Sequence, residues 1–154
     1  MSRHQTTANS LPTAAEILSR FYTAESIYMA SAPSDRNFAS GMGKHLAPNF
    51  TSYQSPDLPW GGEWSGHDGF QKWSETMSSY WDRLEVRDPK IFEREGADEA
   101  LVHSTLYLRA RGSGREWVTP MVQVVKVERE REWILSIRAF YWDVRGLNEV
   151  SGLN

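Results

Sequence analysis

The sequence contains no cysteine, which excludes disulfide cross-links, thiolate metal ligands and a cysteine nucleophile. It also lacks a long apolar run: no stretch approaches the ~18 apolar residues of a membrane-spanning helix, and residues 1–10 lack the apolar core of a signal peptide. A strong positive charge is missing too, since 17 basic and 20 acidic side chains give a net charge of −3. The composition therefore predicts one cytoplasmic domain that binds neither nucleic acid nor a membrane.

Aromatic side chains are the abundant feature of the chain. Seven Trp, six Tyr and six Phe make up 12% of the 154 residues, and the Trp content is several times ordinary usage. Large rings bury much area at little cost in side-chain entropy, so they favour a heavy core. They also favour a deep pocket with aromatic walls, as small-molecule sites usually have. Composition leaves both interpretations open.

Two helices are predicted in the first third of the chain. Thr13 and Glu16 form a capping box, and Pro33 ends the helix that follows. The apolar residues of this helix recur at helical spacing: Ile17, Leu18, Phe21, Ala24 and Tyr28. A second, shorter helix is predicted from Ser34 or Asp35 until Pro48, with Phe38, Met42 and Leu46 on one face.

An irregular segment separates the first strand from the longest predicted helix. A short strand is predicted over 49–54, and 55–66 is predicted to be a loop because it holds two Pro and three Gly. Its two Trp and one Leu are large apolar side chains that must pack over other residues or be buried by them, which makes this loop a functional candidate. From Ser65 onward an apolar stripe predicts a helix that continues to Leu84.

After Leu84 the apolar period changes from 3.6 to 2, which predicts four consecutive strands over 85–94, 100–110, 116–127 and 133–144. Helices followed by strands predict an α+β fold with helices on one face of an antiparallel sheet. A twisted sheet that curls around one long helix would leave a cone that opens at one end. We expect an N-terminal arm over 1–11, one domain over 12–147 and a C-terminal tail over 148–154.

This layout resembles the nuclear transport factor 2-like (NTF2-like) fold and, within it, the SnoaL-like family of polyketide cyclases and isomerases. The most specific part of the resemblance runs from Tyr53 and Pro56 through Pro59-Trp60-Gly61-Gly62-Glu63-Trp64-Ser65-Gly66-His67-Asp68-Gly69-Phe70, and the second part is the strand from Ile134 to Trp142. The resemblance implies a cone-shaped barrel in which a curved, mostly antiparallel sheet wraps around a long helix, with two N-terminal helices.

The same resemblance implies a function. It implies acid–base chemistry without a metal or an organic cofactor, a hydrophobic polyketide-like substrate of secondary metabolism, and a homodimer formed through the outer face of the sheet. The sequence also lacks the His-x-His, His-x-x-x-His and Glu-x-x-His spacings of metal sites, so we expect no metal ligand set.

Such a reaction needs a base that takes a proton next to a carbonyl and a donor that holds the developing enolate oxygen. Candidate bases are Asp143, His103, His67 and Asp57. Strand alternation places His103 with Thr105 and Tyr107 on a polar and aromatic face, which we expect to line the cavity. Asp143 is open to two interpretations: a base at the rim, or a carboxylate that ends a strand. We predict Asp143 and His103 as the catalytic residues.

Substrate-binding residues are expected on the loop, on the long helix and on the strand faces. The predicted set is Tyr53, Trp60, Trp64, His67, Phe70, Trp73, Met77, Tyr107, Trp117, Met121, Arg138 and Phe140. Alternation does not decide which face of the last strand is internal.

Three functions follow from the sequence. The first is a cyclase or isomerase, and its nearest rival among enzymes is a dehydratase. The third is a non-catalytic module that binds a ligand or a protein partner. Polar residues on the expected cavity faces are costly inside a purely apolar core unless each finds a partner, which favours an enzyme; they are His103, Thr105, Tyr107 and Gln123.

Overall fold

A computed structural model of the chain describes residues 10–152. The helices in this part are α1 (Ala14–Ala30), α2 (Gly66–Tyr80) and α3 (Val144–Val150), with short 3-10 turns at Pro33–Asp35 and Met42–His45. The strands are β1 (Leu46–Gln54), β2 (Gly62–Ser65), β3 (Trp81–Glu93), β4 (Glu99–Ala110), β5 (Glu116–Glu128) and β6 (Trp133–Tyr141). The predicted α+β class is confirmed.

The strands form one curled, unclosed sheet in the order β2-β1-β6-β5-β4-β3. Neighbours pair antiparallel except β1 and β6, which run parallel. Both α1 and α2 pack against the sheet, with α1 lying mainly on β3 and α2 on β1. The predicted cone of a mostly antiparallel sheet around helices is therefore confirmed.

The predicted second helix is wrong. Residues 33–35 and 42–45 form 3-10 turns, and Leu46 already belongs to β1. Gly41 and Gly43 account for the difference, because a Cβ on either would lie 2.9 Å from a backbone carbonyl oxygen, that of Asn37 or Phe38. The chain turns so tightly at positions 41 and 43 that there is no room for a Cβ, which every residue that favours a helix carries. The apolar side chains Phe38, Met42 and Leu46 are buried all the same.

The long helix ends earlier than predicted. α2 stops at Tyr80, and Trp81 and Leu84 belong to β3, where they pair with Ala110 and Leu108. Both residues are buried, as the apolar stripe predicts, but they are buried from a strand. The predicted loop over 55–66 also contains a strand, β2, which pairs with β1. Sheet pairing at both places overrides the local pattern.

The C-terminal segment is a helix that packs on the sheet. The last strand ends at Tyr141, and the predicted boundary after residue 147 falls inside α3, whose Leu147 and Val150 are buried. The Arg129 guanidinium donates to the carbonyl oxygens of Leu11 and Pro12 and so fixes the chain ahead of α1. Residues 1–9 of the predicted arm lie outside the described part.

The space between the helices and the sheet is filled mainly by rings. Phe70 stacks on Trp73 with centroids 4.7 Å apart and meets Phe50 edge-on at 4.9 Å. Trp60 and Trp81 meet at nearly right angles with centroids 5.8 Å apart, and both are fully buried. Aromatic packing of this kind stabilises a core beyond the area that it buries. In residues 10–152, no helix combines the length and apolar character needed to cross a membrane.

Candidate functional site

The buried face of β4 is opposite to the predicted one. The residues that face the helices are Ala100, Val102, Ser104, Leu106, Leu108 and Ala110. His103 is exposed on the outer face, so the prediction that its face lines the cavity is wrong. Tyr107 lies on the outer face too, where its hydroxyl donates to Glu116 and the Arg87 guanidinium covers its ring. Burying the continuous apolar row determines which face turns inward.

The inner face of β5 carries Trp117 and Met121, the two residues of this strand that were predicted to bind substrate. Thr119, Met121 and Gln123 are buried there, and Trp117 is half-buried. On β6, Ile137 and Ala139 face inward. Arg138 and Phe140, both predicted to bind substrate, are exposed on the outer face. The Arg138 guanidinium stacks over the ring of Tyr53 at 4.1 Å, which places Tyr53 on the outer face as well.

Several polar side chains face the interior of the cone, and we call seven of them the interior polar cluster. They are Tyr22, Glu25, Ser52, Gln54, Ser104, Gln123 and Tyr141. The Tyr22 hydroxyl donates to Oε1 of Gln123 and so joins α1 to β5. The Tyr141 hydroxyl donates to Oε1 of Gln54 at 2.5 Å, and Nε2 of Gln54 donates to the Ser52 hydroxyl at 3.0 Å.

Glu25 is the charged member of the cluster. It is 6% exposed, and its carboxyl group forms no hydrogen bond or ion pair within residues 10–152. Burial raises the pKa of Glu25 from 4.5 to about 8 because the carboxylate loses its hydration. Burial also raises the pKa values of Tyr22 and Tyr141, and the nearby Glu25 charge adds to both shifts. The interior therefore holds a titratable carboxyl group whose pKa is raised by burial.

Glu25 is not among the predicted site residues, although the sequence carries a signal for it. Glu25 lies seven residues after Leu18 and four after Phe21, so it falls on the apolar stripe of α1. A charged residue on a stripe that must be buried is unusual enough to mark a candidate site. Tyr22 lies three residues before Glu25 on the same side of the helix.

The predicted substrate-binding residues on α2 and on the loop belong mainly to the core. Trp60, Phe70, Trp73 and Met77 are buried among other side chains. The Trp64 indole is half-buried, and its N–H donates to the carbonyl oxygen of Trp60 at 3.1 Å.

The two predicted groups at the ends of elements have structural partners. A ring nitrogen of His67 lies 2.9 Å from the carbonyl oxygen of Leu46. The Asp143 side chain accepts from the backbone N–H of Gly146 at 2.8 Å and caps α3. Of the two interpretations of Asp143, the carboxylate that ends a strand fits this geometry, one residue ahead of the helix that it caps.

Two surface openings lie away from the interior polar cluster. The larger, about 1070 Å³, lies at the ends of the β3–β4 and β5–β6 hairpins, between Phe92 and Arg129. The smaller, about 280 Å³, lies beside Arg111 and Glu149. Members of the cluster line neither opening. Within residues 10–152, no group of three or more His, Asp or Glu side chains is arranged to hold a metal ion.

The fold is that of the NTF2-like proteins of known structure. An NTF2-like protein of unknown function from Burkholderia pseudomallei K96243 is 16% identical with a TM-score of 0.71, and the match covers 90% of this chain and 96% of that one. A protein from Pseudomonas putida KT2440, provisionally named a polyketide cyclase, is 16% identical with a TM-score of 0.65 over 84% of this chain and 92% of its own.

A third similar structure has a ligand. This hypothetical protein from Catenulispora acidiphila DSM 44928 has a ketosteroid isomerase-like fold and was solved in complex with trimethylamine. It is 16% identical with a TM-score of 0.68, and the match covers 92% of this chain and 96% of that one. No family model matches the present sequence, and no curated protein matches it either.

Proposed function

We propose that this protein is a cofactor-independent acid–base enzyme that uses Glu25 to move a proton next to a carbonyl group of a hydrophobic, polyketide-like substrate. The observation that carries the proposal is the position of Glu25: a buried carboxyl group without a partner among the described residues, inside a cone that is packed mainly with rings. A structural carboxylate at such depth is normally paired or hydrogen-bonded. A catalytic one gains from isolation, since its pKa approaches the working pH.

The chemistry follows from the two protonation states of Glu25. As a carboxylate it takes a proton from the carbon next to the substrate carbonyl, and the electron pair moves onto the carbonyl oxygen as an enolate. As a carboxylic acid it returns the proton to another carbon, which completes an isomerisation. In a cyclisation the enolate carbon instead attacks a second carbonyl, and the acid protonates the new alkoxide.

The surroundings of Glu25 support this role. The hydroxyls of Tyr22 and Tyr141 each have a fixed acceptor, Gln123 and Gln54, so neither competes for the carboxyl group. Glu25 is the one charged side chain in the interior polar cluster, so the cluster is neutral when Glu25 is protonated, which suits an apolar substrate. The names of several proteins with this fold, which refer to polyketide cyclases, point to the same substrate class.

A deuterium-exchange measurement tests the proposal without the natural substrate. 2-Tetralone is a hydrophobic ketone, and exchange of its C1 protons in D₂O can be followed by NMR. The wild-type protein should accelerate this exchange increasingly as pH rises toward about 8, where Glu25 becomes the carboxylate. Glu25→Gln should lower the catalysed rate by at least ~100-fold, the contribution of a general base.

Glu16→Gln is the matched control, because Glu16 lies in the first turn of the same helix and its side chain is exposed. It should exchange 2-tetralone at the wild-type rate. A Glu25→Gln protein that keeps its melting temperature and the wild-type exchange rate would rule out Glu25 as the base.

The second candidate function is a non-catalytic ligand-binding module. The rings that fill the cone favour it, as does the trimethylamine bound by a protein of the same fold. An ammonium group could pair with the Glu25 carboxylate and lie against nearby rings. Under this alternative the protein binds an organic amine tightly and does not accelerate exchange of 2-tetralone.

A further inference from the structure

Several hydrogen-bond donors in the interior have no acceptor within residues 10–152. The Ser104 hydroxyl and the indole N–H groups of Trp73, Trp81 and Trp117 are enclosed without a hydrogen-bond partner there. Ser104 is only 3% exposed. A buried donor without an acceptor destabilises a folded protein and is therefore rare. An indole N–H can point at a neighbouring ring, which leaves Ser104 as the informative case.

The sheet register places Ser104 inside the interior polar cluster. Ser104 pairs with Met121 across β4 and β5, and Met121 pairs with Tyr141 across β5 and β6. Gln123 is two residues beyond Met121, which makes it the diagonal neighbour of Ser104 at about 7–8 Å. Oε1 of Gln123 is occupied by Tyr22, whereas its Nε2 forms no hydrogen bond within the described residues.

On the sheet side of the cluster, two donors are therefore without an acceptor, while the free acceptor of the cluster, the Glu25 carboxyl, lies on α1. Ser104 and the amide nitrogen of Gln123 both offer donors, and the acceptors of the cluster at Gln54 and Gln123 are already used. A ligand that brings ammonium N–H groups would leave both donors unsatisfied. A ligand that brings an oxygen acceptor would satisfy them.

We infer that Ser104, together with the amide nitrogen of Gln123, binds an acceptor oxygen of the substrate, and that the substrate is a neutral carbonyl compound. This inference rests on the proposed function, in which that oxygen becomes the enolate. Neutral donors held in position by the sheet stabilise the developing charge without a counter-ion. Ser104 is thereby the residue that selects a ketone over a hydrocarbon or an amine of the same shape.

Three ligands with one ring frame test the inference by isothermal titration calorimetry: 2-tetralone, tetralin and 2-aminotetralin. The wild-type protein should bind 2-tetralone at least about three- to tenfold more tightly than tetralin, since three- to tenfold is the worth of one neutral hydrogen bond. 2-Aminotetralin, which is cationic near neutral pH, should bind more weakly than 2-tetralone. Ser104→Ala should lower the affinity for 2-tetralone about three- to tenfold, toward that for tetralin, and leave tetralin binding unchanged.

The melting temperature of Ser104→Ala and two further variants, Ser104→Cys and Ser136→Ala, separate an effect on binding from a folding defect. Ser104→Ala removes an unsatisfied donor, so its melting temperature should not fall below that of the wild type. Ser104→Cys keeps a weaker donor and should give an intermediate affinity for 2-tetralone. Ser136→Ala is the control, since Ser136 lies on the outer face of β6 opposite the exposed Lys126 and should change no affinity.

The inference is overturned if wild-type protein binds 2-tetralone no more tightly than tetralin, if 2-aminotetralin binds best, or if Ser104→Ala keeps the full preference for the ketone. These outcomes are separate from failure of the proposed function. Selective binding through Ser104 without deuterium exchange would remove the enzyme and keep the binding site. Deuterium exchange that depends on Glu25 but is unchanged by Ser104→Ala would keep the proposed enzyme and remove the proposed binding role of Ser104.

Discussion

The hydroxyl of Tyr22 donates a hydrogen bond to the side-chain amide oxygen of Gln123, 101 positions later in the chain. Both side chains are buried, and the bond joins the inner side of α1 to the inner face of β5. It fixes the turn of α1 that carries Glu25 relative to the sheet that carries Ser104. This contact between helix and sheet therefore contributes to the geometry of the proposed site.

Removing the Tyr22 hydroxyl should destabilise the fold. Tyr22→Phe leaves the amide oxygen of Gln123 buried without a donor, which we expect to lower the free energy of unfolding by about 1–3 kcal/mol. Urea denaturation measures this value. Tyr53→Phe is the control, because Tyr53 lies on the outer face, and it should change stability by less than about 0.5 kcal/mol. Equal effects of the two substitutions would contradict the interior role of Tyr22.

Glu25 should make the stability of the protein depend on pH. Its pKa is about 8 in the folded state against 4.5 in the unfolded chain, so the folded state holds the proton more strongly between those values. The stabilisation is complete below pH 4.5 and is lost as pH rises to about 8, at up to about 1.4 kcal/mol per pH unit.

Glu25→Gln should remove this decline, since an amide does not titrate. The difference in unfolding free energy between wild type and variant, measured by urea denaturation across this pH range, isolates the contribution of Glu25. If the two proteins show parallel profiles, the Glu25 carboxyl is hydrated or paired in solution.

Asp143 should matter for stability and not for proton transfer. Asp143→Asn keeps a good helix cap and should retain both stability and the deuterium-exchange rate. Asp143→Ala loses the acceptor for the Gly146 N–H, and we expect it to lower stability by about 1 kcal/mol. The measurements are thermal unfolding and 2-tetralone exchange. Loss of exchange in a stable Asp143→Asn protein would make Asp143 a candidate base again.

The outer face of the sheet should mediate a homodimer. Leu101, Val118 and Phe140 are about half exposed on this face, an apolar surface that a second copy of the chain could cover. We therefore expect dimers at micromolar concentration in light scattering after size-exclusion chromatography, and monomers for Val118→Glu. Lys72→Glu, on α2 and away from this face, should remain dimeric. A wild-type protein that stays monomeric at all concentrations tested would disprove this expectation.

Elements whose signal is local can be predicted well from the sequence. The capping box at Thr13 starts α1, with the Thr13 hydroxyl accepting from the Glu16 N–H as expected. The predicted first residues of β4, β5 and β6 lie within one residue of the observed ones, because an apolar period of two over ten residues fits a strand and does not fit a helix. The resemblance to NTF2-like proteins, based on order and spacing, is supported by the solved structures.

The predicted element boundaries are wrong where the apolar spacing of a helix continues into a segment that forms a strand. The apolar spacing from Phe70 to Leu84 fits a helix throughout, yet the chain changes to a strand at Trp81. Pairing of Trp81 with Ala110 makes the difference, and that partner is distant in sequence. In the sequence, glycines at 41 and 43 only weaken a helix, whereas the close backbone contacts of the folded chain require a turn there.

Which residues face each other inside the cone depends on the assembled molecule. Alternation divides β4 into two faces but does not say which one turns inward. The apolar row with Ser104 is buried against the helices, and the row with His103 is left on the outer face. Glu25 likewise shows in the sequence only as an acid on an apolar stripe. Its raised pKa arises because α1 and the sheet together exclude water from it, and exclusion of water is a property of the packed whole.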